Sequence, residues 1–69
     1  MIISDLLREI MDTLAVDGVA FVPITRRPLE SYEAAQARYV RAIRTAARRR
    51  HYRWQVRIHA GAVKVTVKR

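Results

Sequence analysis

The chain has 69 residues, no cysteine, two glycines and a formal charge of +8 at pH 7. That length supports one small core and excludes a multi-layer enzyme fold, and the missing thiols exclude disulfide staples and thiolate metal sites. The longest apolar run, 19–24 counting Pro23, is far short of the roughly 20 residues that span a bilayer, and no charged-then-apolar leader opens the sequence. The expectation is a single soluble, cytoplasmic domain over residues 1–69.

Leu6, Leu7, Ile10, Met11 and Leu14, preceded by Ile3, recur at the spacing of an amphipathic helix. Ser4 or Asp5 is the expected cap and Asp17-Gly18 the stop, with Asp5, Glu9 and Asp12 on the outer face. Val19-Ala20-Phe21-Val22 with Ile24 reads as a short strand, and Pro23 marks its end or a sheet edge. Thr25-Arg26-Arg27 is a loop, and Pro28 is the expected first residue of a second helix running to Arg49. On that helix Tyr32, Ala35, Tyr39, Ile43, Ala46 and Ala47 share one side. Arg38, Arg41, Arg44 and Arg48 share the opposite one.

The period then switches to two. Trp54, Val56 and Ile58 alternate with Arg53, Gln55, Arg57 and His59; beyond Ala60-Gly61, Val63, Val65 and Val67 alternate with Ala62, Lys64, Thr66 and Lys68. This predicts a β-hairpin with a two-residue loop, His59 paired with Ala62, and Trp54, Val56 and Ile58 beside Val67, Val65 and Val63 on the buried face. Arg57 then lies opposite Lys64 and Arg53 opposite Lys68, a like-charge arrangement that is destabilising on its own. The fold expected is a small two-layer α+β domain in the order α-β-α-β-β, with the hairpin packed against two helices. Strand one joins the hairpin through a right-handed crossover over helix two. The alternative is a winged helix, which requires residues 28–50 to break into two helices although no glycine, proline or Asx turn interrupts 29–50.

Charge is divided between the halves. Residues 1–33 hold three arginines against all six carboxylates, a net −3, whereas 34–69 hold eleven basic side chains and no acidic one. Twelve of the fourteen basic residues are arginine, the side chain suited to bidentate anion recognition. Codon bias in a G+C-rich background accounts for an arginine excess over lysine but not for the missing carboxylates.

Enzymatic readings find no support. Ser4 and Ser31 sit where helix caps belong, two glycines allow no phosphate-cradling glycine loop, and Asp5, Glu9 and Asp12 form a solvated helix face. His51 and His59 have no acidic neighbours, so no catalytic set, metal site or cofactor is expected. A non-catalytic nucleic-acid-binding protein is the expected function. Arg38, Arg41, Arg44 and Arg48 would meet phosphates from the helix and Arg53, Arg57, Lys64 and Lys68 from the sheet, with Arg49 and Arg50 linking the two.

Trp54 is assigned to the core, and Tyr52 to the core or its edge. An aromatic platform for single strands is therefore not evident, which favours duplex or structured targets; DNA is expected slightly ahead of RNA. If helix two packs on the hairpin, the two basic faces point apart and only the junction Arg48–Arg53 belongs to both. The alternative function is a protein–protein module or inhibitor that docks an acidic surface of a host protein, for which the absence of asparagine and the sparse glutamines (Gln36, Gln55) argue. A homodimer joining the acidic first helix to a basic half is a third expectation. Membrane binding is not expected, because the apolar side of helix two is mostly Ala and Tyr.

Overall fold

The computed structural model describes residues 2–68. Two helices and three strands follow in the order α1 (Ile3–Asp17), β1 (Val19–Pro23), α2 (Tyr32–Arg49), β2 (Trp54–His59) and β3 (Ala62–Val67). The α+β order expected from the sequence is the order of the fold. α2 is a single uninterrupted helix, which excludes the winged-helix alternative. The sheet runs β1-β3-β2 and is antiparallel throughout, so β1 and β2 are parallel to each other with β3 between them and α2 connecting them.

α1 starts earlier than its polar residues suggest. The N-cap is Ile2, which makes no side-chain cap, and the Asp5 and Leu6 N–H groups donate to the Ile2 carbonyl. Ser4 and Asp5 therefore lie inside the first turn, where the Asp5 charge still suits the helix dipole. Ile3 is the first residue of the helix and lines a groove with Ala42 and Ile43 of α2. At the other end Gly18 takes φ 75 and its N–H donates to the Leu14 carbonyl, a left-handed glycine cap.

α2 likewise begins later than expected. Pro28 is not its first residue but the corner of a turn closed by Glu30 N–H donating to Arg27 O at 3.0 Å, with Leu29 at φ 63 and wholly exposed. Ser31 is the true cap, its Oγ accepting from Ala34 N–H at 3.1 Å. The helix ends in a Schellman pattern: Tyr52 N–H donates to Ala47 O and His51 N–H to Arg48 O, with His51 at φ 59 in the position glycine usually takes.

The hairpin register is the one the alternation predicts. Trp54, Val56 and Ile58 lie opposite Val67, Val65 and Val63, and Arg57 opposite Lys64. Ala60 and Gly61 form the loop with φ 50 and 79, both positive as a type I′ turn requires. A Cβ at Gly61 would also sit 2.8 Å from the Tyr32 hydroxyl, which donates to the Gly61 carbonyl, so a larger residue would displace that contact.

Both helices cover the same face of the sheet, α1 chiefly over β1 and α2 chiefly over β2. Leu6, Leu7, Ile10, Ala20, Val22, Ile43, Ala46, Val56, Val63 and Val65 are buried between the layers. The buried face is narrower than the alternation implies. Ile58 and Val67, at strand ends beyond the helices, are exposed, as is Met11. No helix among the described residues is long and apolar enough to cross a membrane.

Candidate nucleic-acid interface

The ten basic residues singled out by sequence fall into three places. On the free edge of the sheet, Arg44 and Arg48 of α2 meet Arg53, Arg57 and Lys68 around an open groove of about 610 Å³, whose floor includes Tyr52, Trp54, Gln55 and Val56. On the flank of α2 nearer α1, Arg38, Arg41, Arg49 and Arg50 line a separate groove with Ile3 and Ala42. Lys64 stands on the open face of the sheet, in register between Phe21 and Arg57.

The edge groove exists because of strand order. With β3 in the centre, β2 is left as an outer strand, and α2 packs along it. Arg44 reaches the backbone of β2 at Val56, and Arg48 lines the same groove as the β2 cations. Helix and sheet charges that would point apart on a wider sheet are therefore joined along β2, well beyond the Arg48–Arg53 junction. Arg49 and Arg50 do not link them; both line the other groove, and Arg50 Nη1 donates to Ala46 O at 3.1 Å, closing the helix end.

Backbone geometry contributes as well. Lys68 N–H donates to Arg53 O at 2.7 Å, so Arg53, Gln55, Arg57 and His59 direct their peptide groups to β3 while Trp54, Val56 and Ile58 direct theirs outward. Arg44 Nη2 donates to the outward Val56 carbonyl at 2.9 Å. This contact anchors the guanidinium over the edge and blunts a strand that would otherwise invite pairing with another chain. Gln55, with its amide turned toward the guanidinium, accepts from Arg57 Nε at 3.1 Å and Nη2 at 2.6 Å.

Aromatic rings line the same groove. Tyr52 stacks on Trp54 with centroids 5.0 Å apart and planes 29° from parallel. Trp54 has both a core side and a groove side: it packs against the buried cluster yet is only half-buried. The left-handed His51 makes the pair by turning the chain back so that Tyr52 lies over the end of α2.

Arg38 is engaged differently from the other arginines. Its Nε donates to Glu30 Oε2 at 3.0 Å, and its Nη2 donates to Glu30 Oε1 at 2.9 Å and to Thr25 O at 2.8 Å. Its guanidinium carbon lies 5.0 Å from the Tyr39 ring centroid. Glu30 also accepts from Arg27 N–H at 2.9 Å. The Arg38 side chain, followed by the Arg27 N–H, holds the Glu30 carboxyl down at about 2, and the Glu30 hydrogen bond raises Arg38 above its ordinary value. This is the only salt bridge among the described residues. Sequence spacing did not reveal it, because Glu30 precedes the helix and reaches Arg38 only through the turn at Pro28 and Leu29.

Among the described residues, no group of three or more His, Asp or Glu side chains could hold a metal ion. The fold and charge distribution define a small α+β domain with a cationic, aromatic-lined sheet edge. The chain matches no known protein family, no curated protein and no solved structure.

Proposed function

We propose that the protein is a non-catalytic nucleic-acid-binding domain that grips a phosphate backbone, that of DNA in the first instance, in the groove along β2. The observation that carries this reading is the convergence of Arg44, Arg48, Arg53, Arg57 and Lys68 on one groove in a half of the chain that has no acidic side chain. Five cations gathered without counter-charge repel one another, and a polyanion relieves that repulsion while releasing its own condensed counterions. Arginine forks suit phosphate oxygens, and the Tyr52–Trp54 stack offers an apolar surface for a sugar or a base edge.

The test is fluorescence anisotropy with a labelled random-sequence DNA duplex over a series of salt concentrations, with the single tryptophan, Trp54, as a second reporter inside the groove. If the five groove cations each neutralise a phosphate, log K falls against log salt with a slope of about −4.5. Tryptophan emission changes on binding. An acidic protein of similar charge density is the competitor, and its displacing DNA at equal charge would move the assignment to the acidic-surface alternative. Absence of binding at low salt, to this duplex and to a single strand alike, overturns the nucleic-acid reading.

A further inference from the structure

Both helices lie on one face of the sheet, and nothing in the described chain covers the other. Three rows of side chains cross that open face in register: Val19–Thr66–Gln55, Phe21–Lys64–Arg57 and Pro23–Ala62–His59. Phe21 is 54% exposed there, although a strand of this small domain had buried positions on its other face for an aromatic ring. Its partner is His59, from the far strand: the two ring centroids are 6.2 Å apart and tilted by 44°, meeting across the row where the central residue is the small Ala62. Lys64 and Arg57 stand in the adjoining row, and Gln55 and Thr66 beyond them offer hydrogen-bonding groups. The three rows carry no acidic side chain; Glu9 and Asp12 of α1 lie beyond the β1 edge, where they share a groove with Phe21, so the cationic side of the platform is the one toward β2.

We infer that this open face is a stacking platform for unpaired bases, which makes single-stranded nucleic acid the ligand class of the domain. The inference rests on the phosphate-gripping role of the β2 groove and extends it. Arg57 belongs to both surfaces, lining the groove while standing in the Phe21 row. A backbone held along β2 therefore runs beside the platform, and its bases need only turn inward to lie on Phe21 and His59. The stacked bases of a duplex cannot do this, since their faces are already covered. A ring in contact with a base, with two cations within side-chain reach of the neighbouring phosphates, is the combination by which single strands are held without sequence readout. The aromatic signal escapes detection in the sequence because Phe21 and His59 are 38 positions apart and become neighbours only when β1 and β2 flank β3.

The experiment compares three labelled probes by anisotropy at one salt concentration: a 15-nucleotide oligothymidine, an abasic strand of the same length, and a mixed-sequence duplex. The proteins are the parent chain, Phe21→Ala, Phe21→Trp and His59→Ala, each checked for folding by circular dichroism. The expected result is that Phe21→Ala weakens oligothymidine binding about tenfold, within the range that loss of one base–aromatic stack produces, and His59→Ala about threefold, the smaller loss of an edge contact. Phe21→Trp preserves it, and abasic and duplex binding change less than about twofold. His59→Ala and Phe21→Trp keep the test decisive if Phe21→Ala fails to fold. Unchanged oligothymidine binding in the variants, or an equal loss on all three probes, overturns the platform while leaving the groove in place. Binding of none of the probes by the parent chain overturns the groove reading and this one together.

Discussion

The two ends of α2 carry the same side chain to opposite ends. At the start of the helix, Arg38 is held by a carboxylate, a carbonyl and an aromatic ring, and its charge is spent within the fold. At the far end, Arg48 joins Arg53 and Lys68 around a groove with no acidic side chain. Helical periodicity places Arg38 and Arg48 on the same broad face and cannot separate them. What separates them is whether an acidic residue reaches the guanidinium through a turn, and only one does. An arginine in a carboxylate-poor segment is therefore a candidate contact only after the loops packed against it have been taken into account.

Charge reversal at the free end gives the largest expected effect. Arg48→Glu combined with Arg53→Glu should weaken DNA binding by at least about 100-fold at moderate salt while the melting temperature falls by no more than a few degrees, because neither side chain hydrogen-bonds within the fold and Arg48 contributes only its charge to the last turn of α2. Equal binding by this variant would show that the groove is not the contact surface. Arg38→Ala should behave in the opposite way. Its melting temperature should fall by a few degrees, since Glu30 is left facing the Arg27 N–H alone, while DNA affinity of the folded protein stays within about twofold. A large affinity loss in that variant would erase the distinction between the two ends.

Acidity sharpens the same comparison. Glu30 is held down to about 2 from an ordinary 4.5, so its charged form is favoured in the folded state. The stability it contributes is fully present above about pH 4.5 and is lost as pH falls toward about 2. Glu30→Gln should be less stable than the parent at neutral pH, and the gap should close over that window in thermal melts. A gap that stays constant with pH would show the ion pair to be unimportant. The smallest effects come from single changes at the free end. Arg48→Ala should make the salt slope shallower by about 0.9, and His51→Gly should stabilise the domain by about 0.5–1 kcal/mol by relieving a left-handed backbone. A destabilised His51→Gly would indicate that the imidazole, not the turn, holds Tyr52 on Trp54.

Local rules settle much of this molecule before any tertiary contact forms. The 3.6-residue spacing from Leu6 to Leu14 specifies α1, Gly18 ends it, and the alternation from Trp54 to Val67 around Ala60-Gly61 specifies both the hairpin and its register. These features depend on neighbours within a few residues or on one tight turn, so they are written in adjacent letters. Strand order is not. That β1 pairs with β3 and leaves β2 as an edge follows from how α1 and α2 cover one face of the sheet, and this decides that helix and sheet arginines share a groove. The Glu30–Arg38 pair, the double role of Trp54 and the meeting of Phe21 with His59 have the same origin. Each joins residues whose separation in sequence carries no period, and each exists only because packing of the two layers brings distant segments to one place.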